Sequence, residues 1–112
     1  MRRGEVWRIS LDPTIGSELR KTRPVVIVND DKIGILPLKV VVPFTDWKDR
    51  FRDVVWMTRV ESNKGNGLTK TSGADAFQVR SVSQERFIEM LGTVETEILD
   101  EITESLAIVL GI

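Results

Sequence analysis

Cysteine and histidine are both missing from this chain of 112 residues. Without cysteine there is neither a disulfide framework nor a thiolate metal site, and a reducing cytoplasm is the compatible compartment. Without histidine the usual zinc ligand and the usual neutral-pH acid/base group are gone, so any catalysis must use Arg, Lys, Glu, Asp, Ser or Thr. No cofactor or metal is expected. Long apolar runs are also lacking, and none approaches the length of a membrane span. The charged start Met1-Arg2-Arg3-Gly4-Glu5 leads into an alternating pattern, not into the apolar stretch of a signal peptide. Repeats and low-complexity tracts are absent. The expectation is one soluble cytoplasmic domain over residues 1–112, large enough to bury a single core.

The formal net charge of -1 argues mildly against nucleic-acid binding, yet the charges are unevenly spread. All sixteen Lys and Arg precede Phe87, and up to Gly92 they face twelve acids, a local net of +4. Glu95, Glu97, Asp100, Glu101 and Glu104 give the last segment -5. Binding responds to local potential, so a cationic groove in the body is compatible with an acidic sum.

Several elements can be read from pattern. Glu5-Val6-Trp7-Arg8-Ile9-Ser10-Leu11 alternates, with Trp7, Ile9 and Leu11 on one face and Arg8 and Ser10 on the other, which predicts a half-buried strand. Asp12 to Glu18 gathers turn formers, and the irregular stretch runs on to Arg23. So long a polar loop is often functional. Val25-Val26-Ile27-Val28 has the composition of a strand buried on both faces, with Pro24 at its start, where no ladder hydrogen bond is needed. Leu38 to Val42 predicts another buried strand, ending at Pro43.

Phe44 to Arg52 reads as loop or a short helical turn, and residues 54–60 as a strand. Residues 72–82 alternate, with Asp75, Phe77 and Val79 on one face. Ser83-Gln84-Glu85-Arg86 suits one helical turn, and Phe87 to Val94 fits strand or helix, with a final strand ending near Gly92 the better reading. Ile98, Ile102, Leu106 and Val109 fall at helical spacing, with Leu99 and Leu110 widening the stripe. Thr93 or Thr96 caps that helix, Glu95 and Glu97 favour its positive end, and Gly111 terminates it. The fold class is mainly β with a C-terminal α-helix: five or six antiparallel strands in a strongly bent sheet or barrel.

Arg20, Lys21 and Arg23 stand directly before the central strand. A cation at the mouth of a rigid element can be aimed at an anion, whereas one on a loop mostly stays solvated. From local sequence alone, Arg23 reads equally well as a surface arginine paired with an acid. Thr45 reads as a turn or cap residue, Glu18 as a solvated loop acid and Asp75 as a strand-edge charge. Trp47, Phe51 and Trp56 are candidates for base stacking or for packing, with Trp56 the better core residue. Asp30-Asp31 suggests a turn more than a magnesium site.

Arg3-Gly4-Glu5-Val6-Trp7, Leu11-Asp12-Pro13-Thr14-Ile15-Gly16-Ser17-Glu18, Arg23-Pro24-Val25-Val26-Ile27, Val42-Pro43-Phe44-Thr45 and Phe77-Gln78-Val79-Arg80-Ser81-Val82 stand in a definite order and spacing. That ordered set resembles the MazF/PemK toxins nearly end to end. The resemblance implies an SH3-like barrel forming a homodimer. It also implies a metal-independent ribonuclease cutting single-stranded RNA at short sequences, and an antitoxin whose disordered tail covers the RNA groove. By motif, Arg23 and Thr45 take the place of the family's catalytic pair, and Glu18 is the nearest base. Ser17, Arg20, Lys21, Trp47, Lys48, Asp75, Gln78 and Arg80 are the substrate-binding candidates. One departure stands out: many members carry a carboxylate directly before the glutamine, where this chain has Phe77, and Asp75 is the candidate replacement. Two other functions fit the same barrel, a non-catalytic inhibitor of a protein such as DNA gyrase and a catalytically silent RNA binder.

Overall fold

A computed structural model describes residues 1–11, 22–34 and 36–112 of the chain. The loop carrying Ser17, Glu18, Arg20 and Lys21 lies outside the described residues. Among the described residues, seven strands form one antiparallel sheet: β1 (Glu5–Ser10), β2 (Thr22–Ile27), β3 (Leu38–Asp46), β4 (Met57–Val60), β5 (Ser72–Asp75), β6 (Arg80–Ser83) and β7 (Phe87–Thr93). One helix follows, α1 (Thr96–Leu110). The order across the sheet is β4-β5-β3-β2-β1-β7, with β6 paired to β3. The first half of β3 therefore lies between β2 and β6, and its last residues turn to pair with β5.

Alternation places two apolar layers on β1, β2 and β3, since successive side chains point to opposite faces. Ile9, Val25, Ile27 and Val41 form one layer with Val82, covered by Trp7, Leu11 and Phe87. Val6, Val26, Val28, Val42 and Phe44 form the other with Val60, Leu68, Ala74 and Ile102. The central strand is thus buried on both faces, as its β-branched run predicts. β1 is more buried than its pattern suggests, because Val6 joins the second layer. Ile102, on the inner face of α1, is fully buried, and such an isoleucine contributes roughly 1.5–3 kcal/mol.

The two ends of the sheet meet through a tight loop, which makes the bent sheet a barrel. Thr93 donates its N–H to the Gly65 carbonyl at 2.8 Å, joining β7 to the connection after β4. Both contact residues there must be glycine. A Cβ on Gly92 would lie 2.1 Å from the Gly65 oxygen, and one on Gly67, at φ +71°, would lie 2.1 Å from the Leu91 oxygen. Buried Asn66 holds this loop by accepting from Asn63 and Leu68 and donating to Glu61.

Arg3 ties the amino end to the rest. Its guanidinium donates to the Val28 carbonyl and to Thr103 of α1, while its backbone N–H donates to Asp31. Asp30 accepts from the Lys32 N–H, so the adjacent acids build a turn.

Several expectations need correction. Among the described residues the strands number seven, not five or six, because residues 72–82 are not one strand. Asp75 accepts the Phe77 N–H at 3.1 Å and starts a 3-10 turn, Ala76–Gln78, which separates β5 from β6. β4 begins only at Met57: Met57 N–H bonds the Val54 carbonyl in a turn that leaves Val55 in solvent. Neither Thr93 nor Thr96 caps α1. Glu95 occupies the cap position in extended backbone, without a side-chain bond. Gly111 ends the helix in the left-handed conformation, as expected, and Leu110 is exposed instead of widening the buried stripe.

Candidate active site

Two prolines shape the site. The β2–β3 ladder covers only residues 25–27 against residues 41–43, beginning at Val25 opposite Pro43. Pro24 and Pro43 have no N–H to donate, so neither can carry the ladder outward. Continuing the register by two residues sets Arg23 across from Thr45, beyond the last ladder pair. The next strand over places Gly73 opposite Thr45, and Ile9 of β1 is the partner of Arg23. Arg23 and Thr45 thus stand at the rim of the barrel, on neighbouring strands that no longer hydrogen-bond to each other.

Arg23 borders two clefts. The larger, of about 650 Å³, is an open mouth lined by Arg8, Thr22, Arg23, Thr45, Asp46, Leu68, Thr69, Lys70, Ser72 and Glu89 among others. The smaller, of about 190 Å³, lies on the outer side of the sheet, with Leu11, Val25, Val41 and Pro43 as an apolar floor and Arg23, Gln78 and Arg80 at its edge. Arg23 is the residue common to both.

The cations at these clefts are held differently. Arg8 pairs with Glu89 at 2.9 Å, and Lys70 with Asp46 at 3.0 Å. Among the described residues, the guanidinium groups of Arg23 and Arg80 make no ion pair or hydrogen bond, and the Thr45 hydroxyl has no partner. A half-buried guanidinium and a hydroxyl with unused donors, side by side in an open cleft, can bind a tetrahedral anion through several hydrogen bonds. The reading of Arg23 as a structural ion-pair partner finds no acid among the described residues to support it.

The structure brings Arg23 together with Thr45 in the larger cleft and with Gln78 and Arg80 in the smaller one. It separates them from Trp47 and Lys48, which line neither cleft. The Trp47 ring lies over Gly73, edge-on to Phe51 at 5.7 Å, with the Arg59 guanidinium 5.6 Å from its centre. Its faces are taken by packing. Lys48 is exposed ahead of the 3-10 turn Asp49–Asp53. Trp56 is half-buried and meets Phe77 edge-on at 5.4 Å.

Asp75 is not a groove contact. It is only 9% exposed, and its two oxygens accept from the Phe77 N–H and from the Gln78 amide at 2.8 Å. Phe77, in the 3-10 turn, points out and is 66% exposed. Asp75 and Phe77 do not share a strand face, because the strand ends between them.

Arg8, Lys70, Thr69, Ser72 and Glu89 line the larger cleft without having been singled out in the sequence. Arg8 was legible as the polar residue of an alternating strand, and Thr69-Lys70-Thr71 as a cation between hydroxyls. Nothing local shows that the fold brings them to Arg23.

Comparisons with known proteins agree with this architecture. The sequence model of the family described as PemK-like, MazF-like toxin of type II toxin-antitoxin system matches residues 2–110. The endoribonuclease MazF9 of Mycobacterium tuberculosis is 33% identical over 112 residues, covering 95% of this chain and 92% of that protein. The endoribonuclease PemK of Escherichia coli is 33% identical over 112 residues, covering 98% and 82%. Among solved structures, a mycobacterial endoribonuclease in complex with its cognate antitoxin superposes with a TM-score of 0.78 at 20% identity, covering 100% of this chain and 96% of that one. MazF from Deinococcus radiodurans gives 0.76 at 19% identity, covering 100% and 97%.

Proposed function

The chain belongs to the PemK-like, MazF-like toxin family, and from that membership and the geometry of Arg23 we propose that it is an endoribonuclease acting on single-stranded RNA. It serves as the toxin of a toxin-antitoxin pair. The observation that carries the reading is the Arg23 guanidinium beside the Thr45 hydroxyl at the barrel rim, neither with a partner among the described residues.

In the proposed reaction the RNA supplies its own nucleophile. The 2′-oxygen loses its proton to a base, forms a bond to the adjacent phosphorus and gives a pentacoordinate phosphorane. The bond from phosphorus to the 5′-oxygen then breaks, leaving a 2′,3′-cyclic phosphate, and the 5′-oxygen takes up a proton. Arg23 stabilises the charge that builds on the non-bridging oxygens, and its forked donors suit two of them at once. Thr45 donates to the same group. Glu18 is the proposed base and lies outside the described residues. Asp46 and Glu89 are poorer candidates, since each is engaged by a cation. Every step uses protein and RNA groups alone, so the reaction proceeds without metal.

Cutting at particular short sequences, assembly as a homodimer and capture by a cognate antitoxin belong to the same proposal. A cytoplasmic setting is part of the same proposal. Among the described residues, no helix is long and apolar enough to cross a membrane.

Incubating the purified protein with a long single-stranded RNA in EDTA tests this reading. Defined fragments with cyclic-phosphate and 5′-hydroxyl ends are expected. RNA left intact at high protein concentration overturns it, and is the outcome that an inhibitor of a protein target or a silent RNA binder would give.

A further inference from the structure

The small outer cleft has the composition of a nucleobase site, with an apolar floor and a polar edge beside the residue proposed to hold the scissile phosphate. The question is what its amide, Gln78, presents to a base. A glutamine side chain offers a donor at one end and an acceptor at the other, and the choice between them depends on what else the amide bonds. Here the choice is made by Asp75. A carboxylate only accepts, so the group 2.8 Å from its Oδ2 must be the Gln78 Nε2. The carbonyl Oε1 has no partner among the described residues.

Asp75 itself is firmly placed. It ends β5 opposite Met57, is 9% exposed, and its other oxygen holds the Phe77 N–H. The short turn it caps is closed by the Val79 N–H on the Ala76 carbonyl and anchored by the Ala76 N–H on the Trp56 carbonyl. Gln78 therefore leaves a rigid turn with one end of its amide committed.

Resting on the proposed endoribonuclease reading, we infer that Asp75 is a positioning residue: it locks Gln78 with Oε1 towards the cleft, so that Gln78 reads the RNA base there as a hydrogen-bond acceptor for an N–H on the base edge. Arg80, at the same edge, supplies donors to the acceptor atoms of that base, while Arg23 beside it holds the phosphate.

The conservative variant Asp75→Asn reverses this sense. The asparagine Oδ1 still accepts the Phe77 N–H, which leaves its Nδ2 facing Gln78. Nδ2 donates to the Gln78 Oε1, and the Gln78 Nε2 is turned to the cleft as a donor. The base that fitted the acceptor is then opposed donor to donor.

The test is to cut a pool of RNA of random sequence with the wild-type chain, Asp75→Asn and Gln78→Ala, and to sequence the fragment ends. The readout is the distribution of bases around the cuts, which does not depend on total rate. For Asp75→Asn the preferred base at one position next to the cut changes identity, with a swing of roughly tenfold or more in relative cutting, the scale of one lost readout contact. For Gln78→Ala the preference at that same position flattens while the others stay. Gln78 is exposed, so its truncation leaves folding intact and keeps the test valid even where Asp75→Asn destabilises the turn. Unchanged base preferences in Gln78→Ala, or in a folded Asp75→Asn, overturn the inference and leave the ribonuclease reading standing. A wild-type chain that cuts no RNA overturns both.

Discussion

Arg8 and Arg23 sit on adjacent paired strands, one register step apart, and line the same cleft, yet their surroundings are opposite. Arg8 faces Glu89 across β1 and β7 and is bound to it at 2.9 Å. Arg23 has Ile9 on one side and the Thr45 position on the other, and no acid among the described residues reaches it. Lys70 repeats the Arg8 case with Asp46. The difference follows from alternation and strand order, because a cation's cross-strand neighbour decides whether its charge is neutralised or left available. A cleft lined by paired cations is only weakly attractive to phosphate until those pairs open. Arg23 at its rim, without an ion pair among the described residues, has donors ready for the phosphate of the proposed reaction.

The largest effect is expected where this contrast is strongest. Arg23→Ala should lower the cleavage rate by roughly a hundredfold or more, the scale of removing one oxyanion-type donor, with the fold retained in circular dichroism. Arg8→Ala should leave the single-turnover rate within a few-fold. Equal losses in the two variants would break the comparison. Thr45→Val should cost roughly tenfold or more in the same assay, less than Arg23→Ala because a neutral hydroxyl is a weaker donor than a charged one.

Smaller effects should appear in binding. If Arg8 and Lys70 meet phosphates once their ion pairs open, each alanine variant should reduce the slope of log affinity against log salt by about one, and a fluorescence titration of labelled RNA across salt concentrations measures it. The smallest change is expected from Glu89→Gln, which releases Arg8. RNA affinity should rise by a few-fold, while the unfolding free energy falls by about 0–1 kcal/mol, since the pair is solvent-exposed. Weaker RNA binding by Glu89→Gln would show that Glu89 contributes more than a counter-ion.

How much of this was legible beforehand differs from element to element. The β-branched run of β2, the alternation of β1 and the helical spacing of α1 are local signals, and each element formed where its pattern lay. The break at Asp75 was hidden because residues 72–82 alternate plausibly, and only the side-chain bond from Asp75 to the Phe77 N–H turns the chain there. The stripe of α1 was read one residue too wide, since spacing cannot say that Leu110 passes beyond the edge of the barrel. At the site, Arg23 was legible from its place before a rigid strand, whereas Thr45 was named only through the family motif. Its place beside Arg23 depends on the register of β2 and β3, which is a long-range property. The same holds for Arg8 and Lys70, and for Trp47, whose aromatic face suggested a base platform but is covered by Arg59.

The central claim is that the forked guanidinium of Arg23 acts on the transition state and not merely as a positive charge that holds RNA. Arg23→Lys separates the two, since lysine keeps the charge and loses the fork. The decisive measurement is the single-turnover cleavage rate of this variant at saturating RNA, beside its affinity for an uncleavable RNA lacking the 2′-hydroxyl at the cut. Affinity within a few-fold of the wild type and a rate lower by roughly tenfold or more are expected. A wild-type rate at saturation, or a loss found wholly in affinity, would contradict the claim.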